Sequence, residues 1–231
     1  MALAGDTVPV YVRLNMIKEY LKDNKDRLIK GGIISFIGIL GMGFFLSFLI
    51  LVGYGTDPYT FMNRSLAARF GMTLGNLQLI VNIVLVMLTV IFNRKLIGLG
   101  TIFNMVLVGY YADFFCWSWN KLFPGYFFTD MPYRVIIFTI AILGFVISAA
   151  AYMNADAGLS PYDALPKIIS DAIIARHPKA PFFILRICYD FLAILAGILA
   201  GGRPTIGIVL IAILLGPAIT LVGRIMKKEN K

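Results

Sequence analysis

The chain has 231 residues, of which 59% are hydrophobic and only 14% charged, with a formal net charge of +9. Soluble domains carry about 25% charged residues, so an aqueous globular fold is excluded. The cations flank apolar runs instead of lining a groove, which excludes nucleic acid and makes the lipid bilayer the first partner.

In chain order, residues 1–30 come first. Val10, Leu14, Ile17, Leu21 and Leu28 share one helical face, with Lys, Asp and Glu opposite. That pattern predicts an amphipathic helix over Val10–Ile29, lying on the cytoplasmic membrane surface. No basic start followed directly by an apolar core is present, so no cleavable leader is expected. Six apolar runs follow: Gly31–Gly53, Leu74–Asn93, Leu96–Trp119, Val135–Tyr152, Pro181–Ala200 and Pro204–Val222. Each is close to the ~20 residues a helix needs to cross the hydrocarbon core. They do not alternate polar and apolar residues, so they read as helices, not barrel strands. The expected fold is an all-α membrane protein with six transmembrane helices. If six helices alternate, fifteen Lys and Arg residues fall with the two termini and five on the opposite side. Positive loops stay cytoplasmic, so both termini, including the basic tail 225–231, are expected inside a cytoplasmic membrane.

The chain also reads as a duplication. Gly55-Thr56-Asp57-Pro58-Tyr59 in the first half answers Gly158-Leu159-Ser160-Pro161-Tyr162 in the second. An offset of 103 also sets Gly41 on Gly144. After a short insertion the offset is 107, which sets Gly100 on Gly207 and Gly109 on Gly216. The units are 31–119 and 134–224. Three crossings per unit is an odd number, so the second copy enters from the opposite face and the repeats are inverted, as in many secondary transporters. Asp57 and Ser160 are good N-caps, and Pro58 and Pro161 suit a first helical turn. Short helices are therefore predicted over Tyr59–Arg69 and Tyr162–Ile173. Their starts are candidate anion sites if they tuck toward mid-membrane; otherwise they are capped surface helices.

Polar residues within the spans are few. Arg186 and Asp190 lie four apart on one helix face, either locking the fifth span to its neighbours or holding an anionic group. Asn82 occupies the matching region of the second span. Asn104 in the third span reads as helix–helix glue, and Asp163 as a cap for the second short helix. Gly38, Gly41, Gly43, Gly144, Ser148 and Ala149 let backbones approach closely. Cys116 and Cys188 have neither zinc nor disulfide spacing, and His177 sits in a basic loop. No metal, cofactor or enzyme signature is found. The candidate solute-binding set is Asp57, Pro58, Asn82, Asn104, Ser160, Pro161, Asp163, Arg186 and Asp190.

The segment Ile147–Ile169, with Gly158-Leu159-Ser160-Pro161-Tyr162-Asp163-Ala164-Leu165, resembles the signature of the YczE/YyaS/YitT family of bacterial membrane proteins. Gly100-Thr101-Ile102-Phe103-Asn104 with Gly109-Tyr110 is similar to the family's Gly-Thr-x-x-Asn…Gly stretch. The likeness covers most of Gly31–Val222 and implies a polytopic protein of the bacterial inner membrane.

The leading expectation is a secondary transporter of a small anionic or zwitterionic solute, working by alternating access of inverted repeats. Two other classes remain. One is a channel with two half-helices. The other is an accessory or scaffolding protein for a membrane partner or a homo-oligomer.

Overall fold

The computed structural model describes residues 25–177 and 182–229. Most of the surface helix expected over residues 10–29 lies outside them. Within them the fold is all-helical: α1 Lys25–Val52, α2 Pro58–Phe70, α3 Leu74–Asn93, α4 Leu99–Leu122, α5 Tyr126–Thr129, α6 Tyr133–Asn154, α7 Pro161–Arg176, α8 Phe182–Leu199 and α9 Ile206–Glu229. Six of these, α1, α3, α4, α6, α8 and α9, are long and apolar enough to cross a membrane. Their outer faces carry exposed Ile37, Ile91, Leu143, Leu195 and Leu214, a surface suited to lipid and not to water. The chain is a multi-pass membrane protein.

The two short helices start as their sequences predict. Asp57 is extended (φ −64°, ψ 156°) and its carboxylate accepts the Thr60 amide at 2.9 Å. Ser160 has the same backbone shape (φ −61°, ψ 149°) and its hydroxyl accepts the Asp163 amide at 3.0 Å. Pro58 and Pro161 fill the first turn of each, where a missing N–H costs nothing. The first helix stops at Gly71, whose left-handed φ of +64° returns an N–H to the Ala67 carbonyl.

At the centre, α1 packs lengthwise on α6 and on α4, and α6 also packs on α9. Ile39, Leu46, Val108, Ala112 and Phe145 form this core. Glycine permits the close approach: a Cβ on Gly41 would strike the Ser148 side chain, and one on Gly144 would strike the Phe45 ring. The short helices are exchanged between halves, since α2 lies against α8 and α7 against α3. The linkers cross over too. The Thr205 hydroxyl, just before α9, donates to the Tyr54 carbonyl at 2.5 Å. The Gly100 amide at the start of α4 donates to the Ala157 carbonyl at 2.8 Å, and the Leu159 amide to Leu96 at 2.9 Å.

Gly158 combines a tight crossing with a left-handed backbone. Its φ is +107°, and a Cβ there would run into the Gly98 backbone and the Thr101 hydroxyl. Gly158→Ala should cost about 2–4 kcal/mol, from backbone strain plus overpacking. Gly71→Ala, at φ +64° but facing open space, should cost about 1 kcal/mol. Thermal denaturation in detergent separates the two; equal losses would show that the crossing is not tight.

Candidate functional site

The short helices point their starts at one another, so their second residues meet. Tyr59 and Tyr162 stack with ring centroids 4.4 Å apart and planes 28° from parallel. The two hydroxyls then part. Tyr59 donates to Asn82 Oδ1 on α3 at 2.6 Å, and Asn82 Nδ2 donates to the Met105 carbonyl on α4 at 3.1 Å. Tyr162 donates to Asp190 Oδ1 on α8 at 2.7 Å. Tyr189 leans on Tyr162, with centroids 4.8 Å apart.

Arg186 ties α8 to the start of α7. Its Nε lies 3.2 Å from Asp190 Oδ2 and its Nη1 2.5 Å from Asp163 Oδ1. The Ser160 hydroxyl, besides capping α7, donates to Asp163 Oδ2 at 2.6 Å. The guanidinium carbon sits 5.3 Å from the centre of the Tyr162 ring. Every member of this network is held by at least one other.

The network forms the deep end of a cavity of about 770 Å³, within the size range of small-molecule sites. Its walls come from α1 (Met42, Leu46), α6 (Phe145, Tyr152) and α9 (Ile211, Gly216). It extends to Phe182 at the start of α8 and Arg224 near the end of α9. The gap exists because α8 and α9 scarcely touch, whereas α3 and α4 pack closely. In the closed pair, Gly109 meets Gly75 backbone to backbone. The Gly75 amide donates to Asp113 at 2.7 Å and Tyr110 to Asn76 at 2.8 Å. Gly216, in the open pair, has nothing within 4 Å of where a Cβ would stand.

Residues 29–224 match the family described as "Family of unknown function (DUF6198)". The chain belongs to this family. The matched stretch takes in all of both Gly-Pro turns and the whole tyrosine–arginine network. No curated protein and no solved structure matches the chain.

Of the residues singled out from sequence, Asp57, Pro58, Asn104, Ser160, Asp163, Arg186 and Asp190 line the cavity of this DUF6198 member. Asn82 stands one side chain behind it, orienting Tyr59. Pro161 is buried in the first turn of α7 and does not line the cavity. Asp163 does more than cap: one carboxylate serves both Ser160 and Arg186. Asp113 is tied to the end of α3, away from this network. Sequence reading passed over Tyr59, Tyr162, Tyr152 and Gln78, although the first two stand at equivalent places in the repeated motif.

Proposed function

We propose that this protein is a secondary transporter of a small solute, built as two inverted three-helix repeats that expose the cavity to each side of the membrane in turn. The reading is supported by one observation above all: equivalent parts of the two halves sit in unlike states. The α3–α4 pair is shut at Gly109, while the α8–α9 pair is open at its counterpart Gly216. Inverted repeats that adopt different shapes at a given moment, and can exchange them, are the basis of alternating access.

The duplication has further support in reciprocal contacts. At offset 103, Gly41 corresponds to Gly144 and Phe45 to Ser148; Gly41 abuts Ser148 and Gly144 abuts Phe45. Tyr59 and Tyr162 meet each other, and each bonds to the second long helix of one half. On the cation distribution, both termini lie in the cytoplasm of a bacterial cell, so the open side is inward-facing. The stacked tyrosines favour a carrier over an open channel, because they stand across the deep end of the cavity. Of the anion and the zwitterion expected from sequence, the zwitterion fits better, since Arg186 is already engaged by two carboxylates.

The test uses Met42→Cys, a half-buried wall position, in a background lacking Cys116 and Cys188. In oriented vesicles an impermeant maleimide should label it from either face, in separate populations of molecules. Labelling from one face only, or a steady ionic conductance through the same path, would contradict the carrier reading.

A further inference from the structure

We infer that the solute presents a cationic ammonium group to Asp57, at the deep end of the cavity, and that Arg186 is a structural counter-ion and not the ligand for an anion. This rests on reading the cavity as the solute site.

The charges there do not balance. Asp57, Asp163 and Asp190 line the cavity with Arg186 as the deep cation. Arg186 spends Nε on Asp190 and Nη1 on Asp163, which leaves Asp57 with no ion-pair partner among the described residues. An unmatched carboxylate in a low-dielectric site is costly and attracts a cation. The helix starts offset this only in part, because a helix end carries only about half a unit charge. Pro58 and Pro161 have no N–H to offer, and the amides of Thr60 and Asp163 are taken by Asp57 and Ser160. Each positive helix end has thus been answered by the chain's own carboxylate, Asp57 in one case and Asp163 in the other.

Buried polar atoms without partners give a second, independent sign that a ligand occupies the cavity. The Tyr152 hydroxyl and Gln78 Oε1 have no hydrogen-bond partner. Both residues line the cavity and are 2% and 3% exposed. Buried polar atoms without partners are costly; Gln78 Oε1 only accepts and suits an ammonium N–H, while the Tyr152 hydroxyl can donate or accept. A metal ion is a poorer fit: among the described residues no three His, Cys, Asp or Glu side chains are grouped to hold one.

Polarity then runs along the cavity. Lys167, about 6 Å further along α7 than Asp163, is bonded to Asp171 at 2.6 Å. Arg224, exposed nearer the mouth, has no acidic partner among the described residues. A deep negative end and a positive mouth suit a zwitterion that enters ammonium first.

The charge of the cavity is measurable without knowing the solute. Met42→Cys, purified in detergent and lacking the two native cysteines, is reacted with a trimethylammonium-bearing and with a sulfonate-bearing methanethiosulfonate. The ratio of the two rates is divided by the same ratio for a small free thiol. We expect a cation preference of at least about a hundredfold, because one excess charge roughly 10 Å away at an effective dielectric of about 20 speeds the cation and slows the anion by roughly tenfold each. Asp57→Asn and Asp57→Ser both keep an N-cap residue and should each reduce it several-fold. A normalised ratio at or below one, or a preference untouched by both Asp57 variants, overturns the inference. One-sided labelling in vesicles would instead overturn the carrier reading and leave this ratio standing.

Discussion

Gly109→Leu and Gly216→Leu should both abolish transport, and for opposite reasons. The leucine at Gly109 has no room, because a Cβ there already meets the Gly75 backbone and the Gln78 side chain. It forces α3 and α4 apart and destabilises the closed outer pair. Overpacking of this kind costs about 1–3 kcal/mol, which moves a two-state balance by roughly five- to a hundred-fold. The leucine at Gly216 enters open space, so the present shape and the melting temperature should hardly change. What it forbids is the closing of α9 on α8. The readout is the share of Met42→Cys molecules labelled from each face: Gly109→Leu raises labelling from outside, and Gly216→Leu abolishes it. Under a scaffolding role, Gly216→Leu would be silent. If both variants merely lower the melting temperature, the two glycines are packing residues and the alternating shape is wrong.

The fold was largely legible in the sequence because lipid leaves few choices. Six apolar runs of span length must be helices, and Asp57-Pro58 and Ser160-Pro161 announce helix starts by local chemistry alone. The candidate site was legible only in part. Arg186 and Asp190 declare each other through their i,i+4 spacing, and the sequence left open whether the remaining face of Arg186 locks the fifth span to its neighbours or holds an anion. That face is filled by Asp163, which lies on another helix 23 residues away, and no local pattern announces such a bond. The tyrosine stack was hidden differently. Tyr59 and Tyr162 were visible as a repeated pair, but stacking requires both helix starts to reach the same point from opposite sides, which is a tertiary fact. The openness of α8–α9 against the closure of α3–α4 has no sequence signal either, since both pairs carry a matching glycine. On the carrier reading, the difference lies in the state of the molecule and not in its composition.

Arg186 separates the structural and functional roles of this network. Arg186→Ala leaves Asp163 and Asp190 facing one another without a counter-charge. Breaking a buried pair costs about 3–5 kcal/mol; because Arg186 is 25% exposed at its side chain, about 2–3 kcal/mol is the expected loss. Folding Arg186→Ala together with Asp163→Asn and Asp190→Asn removes all three charges, and most of that stability should return. Transport should not return, because the charged acceptors of the Tyr162 and Ser160 hydroxyls are replaced by weaker neutral ones. The normalised cation preference at Met42→Cys is the third readout. It should rise in Arg186→Ala, where a positive charge is lost beside three carboxylates. It should survive in the triple variant, where Asp57 remains. A triple variant that melts like the wild type but has lost the preference would move the cation site from Asp57 to the Asp163–Asp190 pair. If the single variant is as stable as the wild type, the network does not hold α7 to α8, and the deep end of the cavity is looser than its hydrogen bonds imply.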